Sequence, residues 1–261
     1  MSNWTTTTDE SKKRWETNAD FWDEKMGEHS NTFHREIIRP STEVLLEVNE
    51  GEEILDIACG NGNFSKRLVD LGAKVTAFDY SENLIENAKK RCASYLDNIK
   101  FKVIDATNYN QLIELGCECF DKSVANMALM DIADINPLFN AVYKLLKSSG
   151  IFVFSIIHPC FQTPGMRKIV ETEESGGKVE IRNAVQIFKY ITPKCYEGNA
   201  IGGQPVLQLY YHRPLSDLLE QSFRAGFVVT GVKEPVFNTD KTEWNEIPPV
   251  LIIRLRKNQE F

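Results

Sequence analysis

Ile54-Leu55-Asp56-Ile57-Ala58-Cys59-Gly60-Asn61-Gly62-Asn63-Phe64 runs from an apolar strand pattern through an acid into a two-glycine turn, and on into a helical pattern. Glycine at such a turn lets the backbone approach a ligand with no Cβ in the way. A Gly-x-Gly turn after a strand can also hold the pyrophosphate of a dinucleotide at a helix N-terminus, but that fingerprint carries a third glycine where this chain has Ser65. Asp56 argues the same way. A carboxylate at a strand end, pointed at the loop, repels a pyrophosphate and attracts an ammonium. The ligand is expected to be cationic on that side.

Working outward, Val75-Thr76-Ala77-Phe78-Asp79-Tyr80-Ser81 repeats the plan of an apolar run closed by an acid. Asp79 stands at about the separation at which an acid takes the paired hydroxyls of a ribose, a device dinucleotide enzymes share. A third acid, Asp105, closes Phe101-Lys102-Val103-Ile104-Asp105-Ala106, and its carboxylate is suited to accept from an adenine amine. Each acid alone also reads as a turn or N-cap residue. Three strand ends in succession after a two-glycine turn form a specific pattern.

From Glu53 onward, short apolar runs alternate with amphipathic segments, which predicts β-α-β units and a largely parallel, doubly wound sheet with right-handed crossovers. Strands are expected at 53–57, 74–78, 99–104, 122–126 and 150–157. Helices are expected at 63–71, ended by Gly72, at 81–94, opened by Ser81, and at 136–146. Further on, 215–225 reads as a helix, and 227–232 and 250–255 as a hairpin that brings an antiparallel strand into the sheet. Residues 158–209 are richer in Gly, Pro and charge, with weak strand alternation over 178–192, and are expected to cover the sheet's carboxyl edge as an insertion. The first fifty residues, helical and carrying Trp15, Phe21, Trp22 and Phe33, are expected to cap the same edge.

Composition narrows the partners. The 261 residues carry 30 Lys+Arg against 37 Asp+Glu, a formal charge of −7, and the basic residues are dispersed, which disfavours nucleic acid. With 42% hydrophobic and 26% charged residues the chain is an ordinary globular one rather than disordered or fibrous. No apolar stretch approaches the roughly 18–20 residues needed to span a bilayer, so no membrane partner is expected. The polar start of the chain lacks the apolar run of a signal peptide, and a cytoplasmic location is expected. Six cysteines at irregular spacing fit neither a metal site nor a disulfide framework.

On these motifs the chain resembles the class I S-adenosylmethionine-dependent methyltransferases, from about Glu53 to the C-terminus. The resemblance implies a seven-stranded, Rossmann-like mixed sheet with its last strand antiparallel, an N-terminal helical lid, and S-adenosylmethionine as cofactor. Within the family, Tyr211-His212-Arg213-Pro214-Leu215, Arg224-Ala225-Gly226-Phe227 and Ile247-Pro248-Pro249-Val250 are similar to late segments of the small-molecule, ubiquinone-biosynthesis-like group. By the resemblance, Asp56, Ala58, Gly60 and Gly62 hold the amino-acid part of the cofactor and Asp79 the ribose hydroxyls. Tyr80 lies beside the adenine, Asp105 and Ala106 take its edge, and Asn126 and Met127 flank the sulfonium. The Asn/Asp-Pro-Pro-Tyr and Pro-Cys motifs of the nucleic-acid branches are missing after the fourth strand.

Methyl transfer from a sulfonium is an in-line displacement that alignment and desolvation accelerate. Where a base helps, histidine titrates in range. His158 follows the fifth strand and is the first candidate for a general base. His212 is read as a hinge or packing residue, His29 and His34 as surface residues, and Arg213 as a helix-start ion pair or a clamp for a substrate carboxylate. Tyr190, Tyr196, Tyr210 and Tyr211 are candidates to line an apolar acceptor pocket, with core packing the other reading. The expected function is methyl transfer to a small-molecule O, N or C nucleophile by a monomer or homodimer. Two alternatives stay open: an NAD-dependent oxidoreductase on the same topology, and a non-catalytic cofactor-binding module.

Overall fold

The computed structural model describes residues 8–238 and 243–258. Helix α1 (Thr8–Met26), a π-helical turn (Phe33–Ile38) and α2 (Arg39–Leu46) precede the sheet. The alternating units follow as β1 (Glu53–Ile57), α3 (Asn63–Asp70), β2 (Lys74–Asp79), α4 (Glu82–Arg91), β3 (Ile99–Val103), α5 (Tyr109–Ile113), β4 (Phe120–Asn126), α6 (Asn136–Leu145) and β5 (Leu146–Ile157). After β6 (Arg167–Ser175), β7 (Lys178–Gln186), β8 (Lys194–Gly198) and β9 (Gln208–His212), the chain closes with α7 (Leu215–Arg224), β10 (Phe227–Lys233) and β11 (Val250–Lys257).

Seven strands pair in the order β10-β11-β5-β4-β1-β2-β3. The five from β1 to β5 run parallel, and β11 lies antiparallel to both β5 and β10. Successive residues serve opposite faces. Leu55, Ile57, Phe152 and Phe154 pack with Phe139 of α6 on one side, and Ile54, Val75, Val124 and Val153 pack with Leu45 and Leu46 of α2 and Leu68 of α3 on the other. Burial on both faces is why these strands read as apolar runs.

Strand β5 begins at Leu146 rather than at residue 150, because Leu146 already pairs with Phe120 before the register shifts to Lys122↔Ile151. The weak alternation over 178–192 becomes β7, which ends at Gln186 and pairs with β6 in an antiparallel ribbon. The ribbon turns through Gly176 and Gly177, at φ +59° and +73°, the left-handed pair a two-residue hairpin turn demands. All six cysteines are free, and no helix among the described residues is long and apolar enough to cross a membrane.

Helix α1 lies against α4 and the glycine turn, held by Trp15 and Ala19 packed on Leu84 and by a set of polar contacts. The Glu16 carboxylate accepts from the backbone N–H groups of Glu82 (2.7 Å) and Asn83 (3.3 Å), so it caps α4 from outside. Arg91 pairs with Asp23 (2.6 Å) and Glu28 (2.5 Å). Asn61 donates to Asp23 (3.0 Å) and Asn63 to the Gly27 carbonyl (2.9 Å), which fastens the glycine turn to the end of α1.

Candidate functional site

A cavity of about 530 Å³ opens at the carboxyl ends of β1, β2, β3 and β4, beneath α1 and the π-helical turn. That position is where parallel α/β sheets bind ligands. Asp56, Ala58, Gly60, Asp79, Tyr80, Asp105, Ala106, Asn126 and Met127 all line it. Gly62 does not. A Cβ there would lie 3.1 Å from the Ala88 Cβ and 3.1 Å from the Cys92 sulfur, and its φ is +78°, so this glycine packs the turn onto α4. Ala58 and Met127 hold φ +51° and +52° at the ends of β1 and β4; such left-handed backbone in non-glycine residues concentrates at functional sites.

The two leading acids are buried. Asp56 is 2% exposed and accepts from the Ser65 hydroxyl at 2.5 Å, so the residue in the third-glycine position serves the acid instead of a pyrophosphate. Burial pushes Asp56 up to about 7, against the pull of Ser65, and the charge of Asp79 adds to the rise. In Asp79, 4% exposed, one carboxylate oxygen accepts from the Gly60 N–H and the other from the Ser81 N–H, each at 3.0 Å. Burial raises it to about 6 despite those bonds. The next acid, Asp105, accepts from the Thr107 N–H and hydroxyl, both at 2.8 Å, through one oxygen only.

At the end of β4 the Asn126 carbonyl oxygen accepts from Thr42 and Ser155, each at 3.1 Å, which turns its amide group toward the cavity it lines. Beyond it a 3₁₀ turn (Leu129–Asp131) places Met130 and Asp131 on the wall. Arg213 holds that turn. Its two terminal nitrogens donate to the carbonyls of Leu129 (3.2 Å), Tyr211 (3.2 Å), Ile132 (2.6 Å) and Ala133 (2.7 Å). The guanidinium thus straps the backbone of that turn, and the charges of Asp134 and of Asp217 in the first turn of α7 act on it as well. Tyr196 and Tyr210 line the cavity, whereas Tyr190 and Tyr211 do not.

The general base expected at His158 is not brought into the cavity. Its Nε2 lies 2.8 Å from Glu234, and its Nδ1 accepts from the Cys160 N–H at 3.2 Å, which leaves Nε2 as the donor. The cavity wall passes through Ile157 and Gln162 on either side of it. Its role here is to tie the end of β5 to the residue that follows β10. His212, likewise, is bonded to the Tyr190 carbonyl at 2.7 Å, a packing role.

His34, expected at the surface, lines the cavity from the π-helical turn. Its Nδ1 faces the Asn31 side-chain oxygen at 3.0 Å, an acceptor, so Nδ1 carries the proton and Nε2 presents a lone pair. Burial, reinforced by Arg39, lowers it to about 4, and the ring is neutral at physiological pH. No Lys or Arg is among the described lining residues, against four aspartates.

The family model described as "Methyltransferase domain" matches residues 48–207. The Ubiquinone biosynthesis O-methyltransferase of Caulobacter vibrioides is 31% identical over 120 residues, 46% of this chain and 46% of that protein. The Malonyl-[acyl-carrier protein] O-methyltransferase of Bacillus cytotoxicus is 26% identical over 161 residues, 55% of this chain and 54% of that protein. The chain spans about half the length of the curated relatives it matches. Among solved structures, an S-adenosylmethionine dependent methyltransferase from Mesorhizobium loti superposes with a TM-score of 0.69 at 25% identity, over 84% of this chain and 96% of that one. Family match and strand order agree: the chain belongs to the methyltransferase-domain family and carries the class I S-adenosylmethionine-dependent methyltransferase fold.

Proposed function

We propose that this chain transfers a methyl group from S-adenosylmethionine to a small-molecule O, N or C nucleophile. The observation that carries the reading is a cavity walled by buried Asp56 and Asp79 with no Lys or Arg among its described lining residues. A cationic amino-acid ligand with a ribose fits that wall, and a pyrophosphate would be left facing uncompensated acids. In this reading Asp56 and the Gly60 turn take the amino-acid part. Asp79 keeps free lone pairs beyond its two N–H bonds for the ribose hydroxyls. Tyr80, Asp105 and Ala106 border the adenine, and Asn126 and Met127 the reacting end.

When bound, the cofactor supplies a methyl group already activated as a sulfonium. The chain's own residues are left to align the acceptor and exclude water. We assign the lid role to α1 with the π-helical turn, whose Trp22, Met26, Phe33 and His34 reach the cavity wall. The acceptor side is assigned to the 158–209 segment, which brings Gln162, Tyr196, Ile201 and Gln208 to it. Incubation with methyl-labelled cofactor and a small-molecule metabolite extract is expected to move label into the extract. Label that stays on a cofactor shown to bind would leave a non-catalytic binding module.

The two buried acids give a pH dependence. Each holds its proton to a higher pH folded than unfolded, so it favours the ligand-free fold at low pH. That contribution is lost as pH rises through about 6 to 7. Cofactor binding has the opposite sign, because a cation and ribose hydroxyls need carboxylates. Affinity is expected to rise tenfold or more between about pH 5.5 and 8, with proton release on binding at the lower end. Titration calorimetry in buffers of different ionisation enthalpy measures both; a flat affinity across that range would remove the two acids from the cofactor site.

A further inference from the structure

Away from the cofactor residues, two side chains of the cavity wall, Asp131 and Gln208, carry acceptor oxygens without a matching donor. Asp131 is 9% exposed, and one of its carboxylate oxygens sits 3.4 Å from the Gln208 side-chain nitrogen. Its other oxygen has no hydrogen bond among the described residues. Gln208, 2% exposed, spends that same nitrogen on the Tyr210 hydroxyl at 3.0 Å, and its own Oε1 is buried without a partner. One amide group therefore gathers a carboxyl, an orphaned carbonyl oxygen and a phenol. Burial raises Asp131 well above the ordinary carboxylate range, Gln208 opposes the rise and the charge of Asp79 adds to it, so none of the side chains acting on it is a cation and a ligand ammonium would supply the missing positive charge. Tyr196 and Tyr210 pair across β8 and β9 with ring centroids 5.7 Å apart, and both feel the charge of Asp131.

Buried acceptors without donors are costly, and a native fold that keeps them has a use for them. The group they complement is rich in N–H donors and positively charged, and aromatic walls favour the same charge. A carboxylate or phosphate acceptor would meet no Lys or Arg among the described lining residues to balance its charge.

Resting on the methyltransferase reading above, we propose that the methyl acceptor is an amine, held by its ammonium on Asp131 and Gln208 beside Tyr196 and Tyr210. Transfer then balances simply. The ammonium gives one proton to the Asp131 carboxylate, and the freed lone pair forms the N–C bond as the S–C bond breaks. That electron pair stays on sulfur, and the proton passes on to solvent. Asp131 replaces His158 as the group that takes the acceptor's proton.

The test titrates three probes, 2-phenylethylamine, p-cresol and 3-phenylpropionate, into the full chain at pH 8, alone and with saturating S-adenosylhomocysteine. The amine is expected to bind, and Asp131→Asn to weaken it about tenfold or more while S-adenosylhomocysteine binding holds within about twofold. Gln208→Leu, which removes the orphaned carbonyl without touching the acid, is expected to weaken the amine by a smaller factor. Preference for p-cresol or 3-phenylpropionate, no amine binding in either state, or equal amine binding by wild type and Asp131→Asn would overturn the proposal. Failure of S-adenosylhomocysteine to bind would instead strike the cofactor reading, and the amine titration of the free chain would still decide this one.

Discussion

Asp79→Asn is expected to weaken S-adenosylmethionine binding by roughly 100-fold, about 2–3 kcal/mol, at pH 8. Two losses combine. Hydrogen bonds from ribose hydroxyls to a carboxylate are charge-assisted, each worth about 1.5–3 kcal/mol, and a neutral amide keeps only part of that. The second loss is local. Both Asp79 oxygens accept backbone N–H bonds, from Gly60 and from Ser81, and an amide must turn its NH₂ toward one of them. Either the glycine turn or the start of α4 then shifts. Calorimetry on wild type and variant reads the effect, with a melting curve to show that the variant is folded. An affinity within about threefold of wild type would mean that Asp79 does not hold the ribose.

Arg213→Ala is expected to cost the fold about 3–5 kcal/mol, a fall in Tm of roughly 10 °C for a domain of this size. The guanidinium donates to four backbone carbonyls, three of them in the segment Leu129 to Ala133 that carries Asp131. Burial lowers Arg213 to about 10, so it stays charged at neutral pH and its bonds stay charge-assisted. Alanine takes this donor from all four carbonyls, and Leu129 keeps only the 3.4 Å bond from the Ile132 N–H. Arg213→Lys keeps the charge but not the planar fork, and is expected to recover only part of the loss. Differential scanning calorimetry checks the order wild type, lysine, alanine; an alanine variant as stable as wild type would show that the 129–133 segment does not depend on this strap.

Legibility tracked how local each signal is. Strand β1 spans 53–57 as expected, and the acids on β1, β2 and after β3 all reach the cavity, because a strand, a turn and a helix are specified within a dozen residues. Gly62 was indistinguishable from Gly60 by sequence; only the closeness of Ala88 and Cys92 separates a packing glycine from a ligand-facing one. Strand β6 was missed because Arg-Lys-Ile-Val-Glu-Thr-Glu-Glu-Ser is almost wholly exposed and has no apolar face to betray it. His34 sits on a π-helical turn, and a π-helix shifts side chains off the α-helical period by which a surface face is judged. Asp131 and Gln208 are 77 residues apart in sequence, and no motif announces either. A reader could have noted the acid of Leu129-Met130-Asp131 soon after the fourth strand, but not the glutamine that meets it.

Isothermal titration of the wild-type chain with S-adenosylmethionine, S-adenosylhomocysteine and NAD decides between a methyl-donor site and a dinucleotide site. Micromolar binding of the two sulfur ligands and none of NAD is expected. Binding of NAD alone would contradict it, because a pyrophosphate would then sit where Asp56 and Asp79 are buried without a cation.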